Sequence, residues 1–104
     1  MKTDRELLEL AARAAGYTLT EGSRGYDEFK CKGGVKWNPL TDDGDALRLA
    51  ASMRLDVRID NAAVFVGRFH DEPTTCEKVT ADGHANAARR AIVRAAAAIG
   101  ESMQ

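Results

Sequence analysis

Residue types that could do chemistry gather in four places. Asp42, Asp43 and Asp45 lie close together, and carboxylate oxygens so placed suit a hard divalent cation such as Mg²⁺ or Ca²⁺. The spacing fits no EF-hand loop, and a helix start explains the same carboxylates, because the helix dipole favours negative charge there. His70, Asp71 and Glu72, with Cys76 and His84, bring metal-ligand types onto one stretch, without the paired spacing of zinc sites. Arg89, Arg90 and Arg94 suit phosphates or an acidic partner surface; the plainer alternative is a solvated helix face. Trp37, followed by Asn38-Pro39, either stacks on a base or a partner side chain, or anchors its loop on the core. The glycines form neither a dinucleotide fingerprint nor a P-loop, and no Ser/His/Asp arrangement is evident. No catalytic residue, metal or cofactor is therefore assigned. The candidate binding residues are Trp37, Asn38, Asp42, Asp43, Asp45, His70, Arg89, Arg90 and Arg94.

The chain that must position these groups has 104 residues, the length of one domain (1–104) with one core. It is 44% hydrophobic and 30% charged, within globular norms. Alanine supplies much of the apolar fraction and buries little area. The expected core therefore rests on Leu7, Leu10, Phe29, Trp37, Leu47, Leu49, Met53, Val57, Ile59, Val64, Phe65, Val66, Ile92, Val93 and Ile99. With 15 basic and 16 acidic residues the net charge is −1, which argues against non-specific DNA binding and against an acidic DNA mimic. Cys31 and Cys76 show no Cys-x-x-Cys spacing and read as reduced thiols of a cytosolic protein. Neither a signal-type apolar segment nor a membrane-length apolar run is present.

Thr3-x-x-Glu6 is a capping box opening a helix to Ala15, with Leu7, Leu10, Ala11 and Ala14 on one stripe and Gly16 as its stop. Tyr17 to Lys32 reads as a hairpin turning at Glu21–Gly25, with Phe29 and Cys31 facing the core. Gly33-Gly34 ends or bulges it. Asn38-Pro39 forces an extended turn. Thr41 or Asp42 caps the second helix, Leu40 packs back as a staple, and Ala46, Leu49, Ala50 and Met53 form the buried stripe with Leu47 beside it. A second hairpin places Leu55, Val57 and Ile59 inward, turns at Asp60-Asn61, and returns through Ala63–Phe69 as the central strand. His70–Gly83 is expected to be a polar loop. The last helix runs from about His84 to Gly100, with Asp82 as cap and Ala88, Ile92, Ala95 and Ile99 as its stripe. The order α-β-β-α-β-β-α predicts an α+β domain, a mainly antiparallel sheet of about four strands packed with three helices.

Trp-Asn-Pro-Leu-Thr-Asp-Asp-Gly-Asp-Ala-Leu-Arg-Leu-Ala (Trp37–Ala50), followed by Leu-Asp-Val (Leu55–Val57), resembles small proteins of tailed phages and prophages. Glu6–Gly16 and Ala87–Ala97 are similar as well, so the resemblance to the phage α/β/α-sandwich (ABA sandwich) family covers nearly the whole chain. It implies phage origin, action in the cytoplasm of a bacterial host, and an α/β/α sandwich. It implies no established activity, and Gly33-Gly34-Val35 departs from the more glycine-rich, aromatic pattern of similar proteins. The expected function is that of a non-enzymatic accessory module binding a host or phage protein, with Trp37, the Asp42–Asp45 turn and the His70–Gly83 loop as contact surface. The alternatives are a module sequestering a small molecule or nucleotide, and a metal-dependent hydrolase using the acidic cluster. No membrane is an expected partner and there is no strong nucleic-acid signal; a homodimer formed through an alanine-faced helix or a strand edge is open.

Overall fold

Thr3 opens helix α1 (Asp4–Ala15): its Oγ1 accepts from the Glu6 N–H at 3.1 Å, while Glu6 Oε1 accepts from the Thr3 N–H at 3.3 Å. Gly16 ends the helix at φ 80°, the left-handed conformation that glycine adopts without a Cβ penalty. The computed structural model describes residues 2–18, 20–22, 25–31, 35–68 and 75–103, with side chains for 2–18, 36–68 and 75–103. Strands β1 (Thr20–Gly22), β2 (Gly25–Cys31) and β3 (Val35–Lys36) form one antiparallel sheet in that order. Helix α2 (Asp43–Met53) then leads into β4 (Leu55–Ile59), β5 (Ala63–Arg68) and β6 (Thr75–Lys78), a second antiparallel sheet with β5 central. Helix α3 (Gly83–Ser102) closes the described chain.

The α+β class, the three helices and the antiparallel pairing are as expected. The sheet differs: two three-stranded sheets replace a single one of about four strands, because each predicted hairpin gains a third strand. The first hairpin is present as β1–β2, although Tyr17 and Thr18 are not in a strand. The inward orientation predicted for Phe29 and Cys31, and the expectations for Gly33-Gly34, lie outside the described residues. The predicted His70–Gly83 loop is corrected by β6. Thr75 faces α3 and donates from Oγ1 to the Ala91 carbonyl at 2.9 Å. Glu77, two residues on and therefore on the same face, pairs with Arg94. Helix-directed bonds thus fix a polar segment as an edge strand.

Helix α3 is the hub. It packs against α1, α2 and all three strands β4–β6. Ala87, Ala91, Ile92, Val93, Ala95, Ala96, Ala97 and Gly100 are buried, a set spread over most of the helix circumference rather than along the single stripe expected. Alanine makes this possible, since small side chains let a helix approach neighbours on several sides. At the tightest point a Cβ on Gly100 would lie 2.0 Å from the Leu10 carbonyl oxygen, so only glycine fits the crossing of α1 and α3.

The α2 stripe is as predicted: Ala46, Leu49, Ala50 and Met53 are buried. Four described residues assigned to the core are not in it, among them Phe65, which is only half-buried. Leu47 is 69% exposed, Val57 38% and Ile59 57%. Val57 and Ile59 do share the face of Val64 and Val66 through their pairing, but β4 lies at the sheet margin, beyond full cover by α3. On the other face Arg58 lies over the Phe65 ring, 4.4 Å from its centroid.

Candidate functional site

Asn38-Pro39-Leu40 forms a knot of hydrogen bonds. Asn38 Oδ1 accepts from the Leu40 N–H at 3.0 Å, an Asx turn, and its backbone carbonyl accepts from the Asp42 N–H at 2.9 Å. The Asn38 N–H donates to Asp45 Oδ2 at 2.9 Å. Asp42 caps α2, accepting from the Asp45 N–H at 2.8 Å. Asp45 also accepts from Arg48 at 2.7 Å, and that hydrogen bond is the main cause holding the Arg48 guanidinium above its ordinary pKa. Asp43 turns the other way, to Arg89 at 2.5 Å. Each aspartate of the predicted cation cluster therefore has its own protein partner. No group of three His, Cys, Asp or Glu residues among those described could hold a metal ion.

Of its two expected roles Trp37 takes that of core anchor and not that of contact residue. It is 4% exposed and meets Tyr17 edge-to-face, centroids 5.5 Å apart. No base or partner side chain can reach the face of a ring so buried. Pro39, two residues on, is fully buried, and Leu40 is buried too.

The arginines, expected either to meet a partner or to form a solvated face, stay partly solvated at Arg90 and Arg94 and also clamp elements together. Arg89 is 19% exposed in its side chain and donates from Nε to the Leu40 carbonyl at 2.8 Å, besides pairing with Asp43. Arg90 reaches Asp4 of α1 at 3.1 Å. Arg94 pairs with Glu77 of β6 and approaches the Cys76 carbonyl at 3.5 Å. Three neighbouring positions thus tie α3 to α2, α1 and β6 in turn. His84 meets the Asn61 carbonyl at 3.1 Å through Nε2, Cys76 is an exposed free thiol, and His70, Asp71 and Glu72 lie outside the described residues.

The structure brings together a different set. A cleft of about 490 Å³ opens where α1, β6 and α3 meet, lined by Lys2, Leu7, Thr75, Glu77, Arg90, Arg94, Ala97, Ala98 and Glu101. The α3 contribution follows from the wheel: 90, 94, 98 and 101 share one arc of the helix, with the buried Ala97 at its margin. Leu7, Ala97 and Ala98 give the recess apolar surface. Charge is mixed within it, with Lys2 paired to Glu101 at 2.7 Å and Arg94 to Glu77. Its volume is of small-ligand size, and both signs of charge line it, each paired within the protein. Of its residues only Arg90 and Arg94 were candidates from sequence. The missed signal was the alanine pair beside them, which leaves the arc concave, while Lys2 and Glu77 arrive from distant parts of the chain.

No helix among the described residues is long and apolar enough to cross a membrane. No family model matches this chain, and neither a curated protein nor a solved structure does.

Proposed function

We propose that this chain is a non-enzymatic binding module, and that the cleft between α1, β6 and α3 receives a segment of a partner protein. The supporting observation is the lining: an apolar strip of Leu7, Ala97 and Ala98 flanked by cations and carboxylates. A nucleotide phosphate would meet Glu77 and Glu101 as well as the cations, whereas a peptide with side chains of both signs finds partners for each. The aspartate cluster offers a metal-dependent hydrolase little, since its carboxylates cap α2 and hold Asn38, Arg48 and Arg89. In keeping with the resemblance at Trp37–Ala50, the setting of this reading is a phage or prophage protein at work in the bacterial cytoplasm, and the α/β/α sandwich belongs to the same proposal. A second reading, a module that sequesters a small molecule, is favoured by the cleft volume alone.

The test is capture from a bacterial lysate with wild-type protein and with Ala98→Trp, which fills the cleft from an exposed helix position. The expected result is a co-purifying protein that the variant loses while keeping its circular dichroism and melting temperature. A partner retained by Ala98→Trp would contradict the cleft as the site. A bound mass of a few hundred daltons would favour the sequestering reading.

A further inference from the structure

Among the described residues strand β4 has an open outer edge: in the sheet order β4-β5-β6 its one described strand partner is β5. Which of its backbone groups face outward follows from the turn. The Asp60 N–H donates to the Ala63 carbonyl at 2.9 Å, so Asp60 and Ala63 form a hydrogen-bonded pair. Antiparallel ladders alternate, so Arg58/Phe65 and Asp56/Gly67 are the next such pairs in the observed register. The N–H and C=O groups of Leu55, Val57 and Ile59 therefore point away from β5. The side chains of Val57 and Ile59 are exposed, 38% and 57%, while Leu55 is partly buried against the core.

The sequence of this edge, Leu55-Asp56-Val57-Arg58-Ile59, complements itself when reversed. We infer that β4 pairs antiparallel with β4 of a second copy of this chain, about a two-fold axis through Val57. In that register Val57 faces Val57 of the second copy and Leu55 faces Ile59, all on the apolar face. Asp56 falls opposite Arg58 twice on the other face, where opposite charges across strands attract and like charges repel. The same register makes each outward-facing residue pair a hydrogen-bonded one, giving about six new backbone bonds. Shifting the register by one residue in either direction would set apolar side chains against charged ones, and a shift by two would lose the charge pairing. The interface is isologous and closes at two copies, joining two three-stranded sheets into one of six strands. It involves none of the cleft residues, so its failure and that of the binding proposal are separable.

Sedimentation equilibrium over a micromolar-to-millimolar series tests the pairing. Wild-type protein should dimerise reversibly. Val57→Pro removes an outward N–H without touching the ladder to β5, and should weaken association about tenfold or more. Asp56→Arg and Arg58→Asp, at exposed positions, should each weaken self-association. Mixed together, the two variants should form a heterodimer, because every cross-strand pair then joins opposite charges. The two introduced side chains face one another, and the native Arg58 of one copy faces the native Asp56 of the other. Circular dichroism reports whether each variant keeps its fold. A wild-type monomer throughout the series would overturn the inference, as would a dimer that survives a folded Val57→Pro variant. Charge reversals that leave association unchanged, or fail to complement one another, would overturn this register.

Discussion

Arg89 shows how much of this protein's charge is spent on holding it together. Its guanidinium joins a backbone carbonyl on one side of α2's start and a carboxylate on the other, and it is largely covered. Arg89→Met should cost about 1–3 kcal/mol, because a hydrogen bond to a charged group is lost and the Leu40 carbonyl loses its donor. Arg90→Met and Arg94→Met, whose ion pairs are more exposed, should each cost less than about 1 kcal/mol. Urea unfolding of the three variants checks that order. Trp37→Ala should destabilise by about 3–5 kcal/mol, as expected for an aromatic removed from a packed core; a stable, folded Trp37→Ala protein would restore Trp37 as a surface residue. Arg54 offers the opposite sign. It ends α2 at φ 55°, a left-handed conformation disfavoured for a residue with a Cβ. Arg54→Gly should therefore raise stability by a few tenths to about 1 kcal/mol in the same measurement.

Among the elements, the crossing of α1 and α3 is the tightest joint. Gly100→Ala would drive a methyl into the Leu10 carbonyl, and only a shift of one helix relieves it. The expected loss is about 1–3 kcal/mol in thermal unfolding, whereas an ordinary surface substitution stays within about 0.5 kcal/mol. Elements with local signals were legible in the sequence: the Thr3/Glu6 box, the Gly16 stop, the Asp42 cap and the α2 stripe all follow from near neighbours. Strand β6 was not. Thr75-Cys76-Glu77-Lys78 has no apolar alternation, and what makes it a strand is its pairing with β5 and its bonds to Ala91 and Arg94, far off in sequence. Val57 and Ile59 were placed inward by a correct reading of strand period. Period fixes which face a side chain takes, but not whether a helix reaches far enough to cover it.

For the molecule as a whole, α3 explains why the candidate site moved. The aspartates, arginines and tryptophan that looked available are the joints between α3 and the other elements, or between the Trp37–Leu40 turn and the core. What packing leaves open along the second half of α3 includes Arg94, Ala98 and Glu101, and these line the cleft. Sequence could show the arginines on α3, but not that Lys2, Leu7 and Glu77 would be brought to face them. Hydrogen exchange under native conditions tests the central role of α3 most directly. Amides from Ala91 to Ala97 should exchange only through global unfolding, with protection matching the unfolding free energy. Exchange of these amides through a cheaper local opening, while β5 stays protected, would contradict the account.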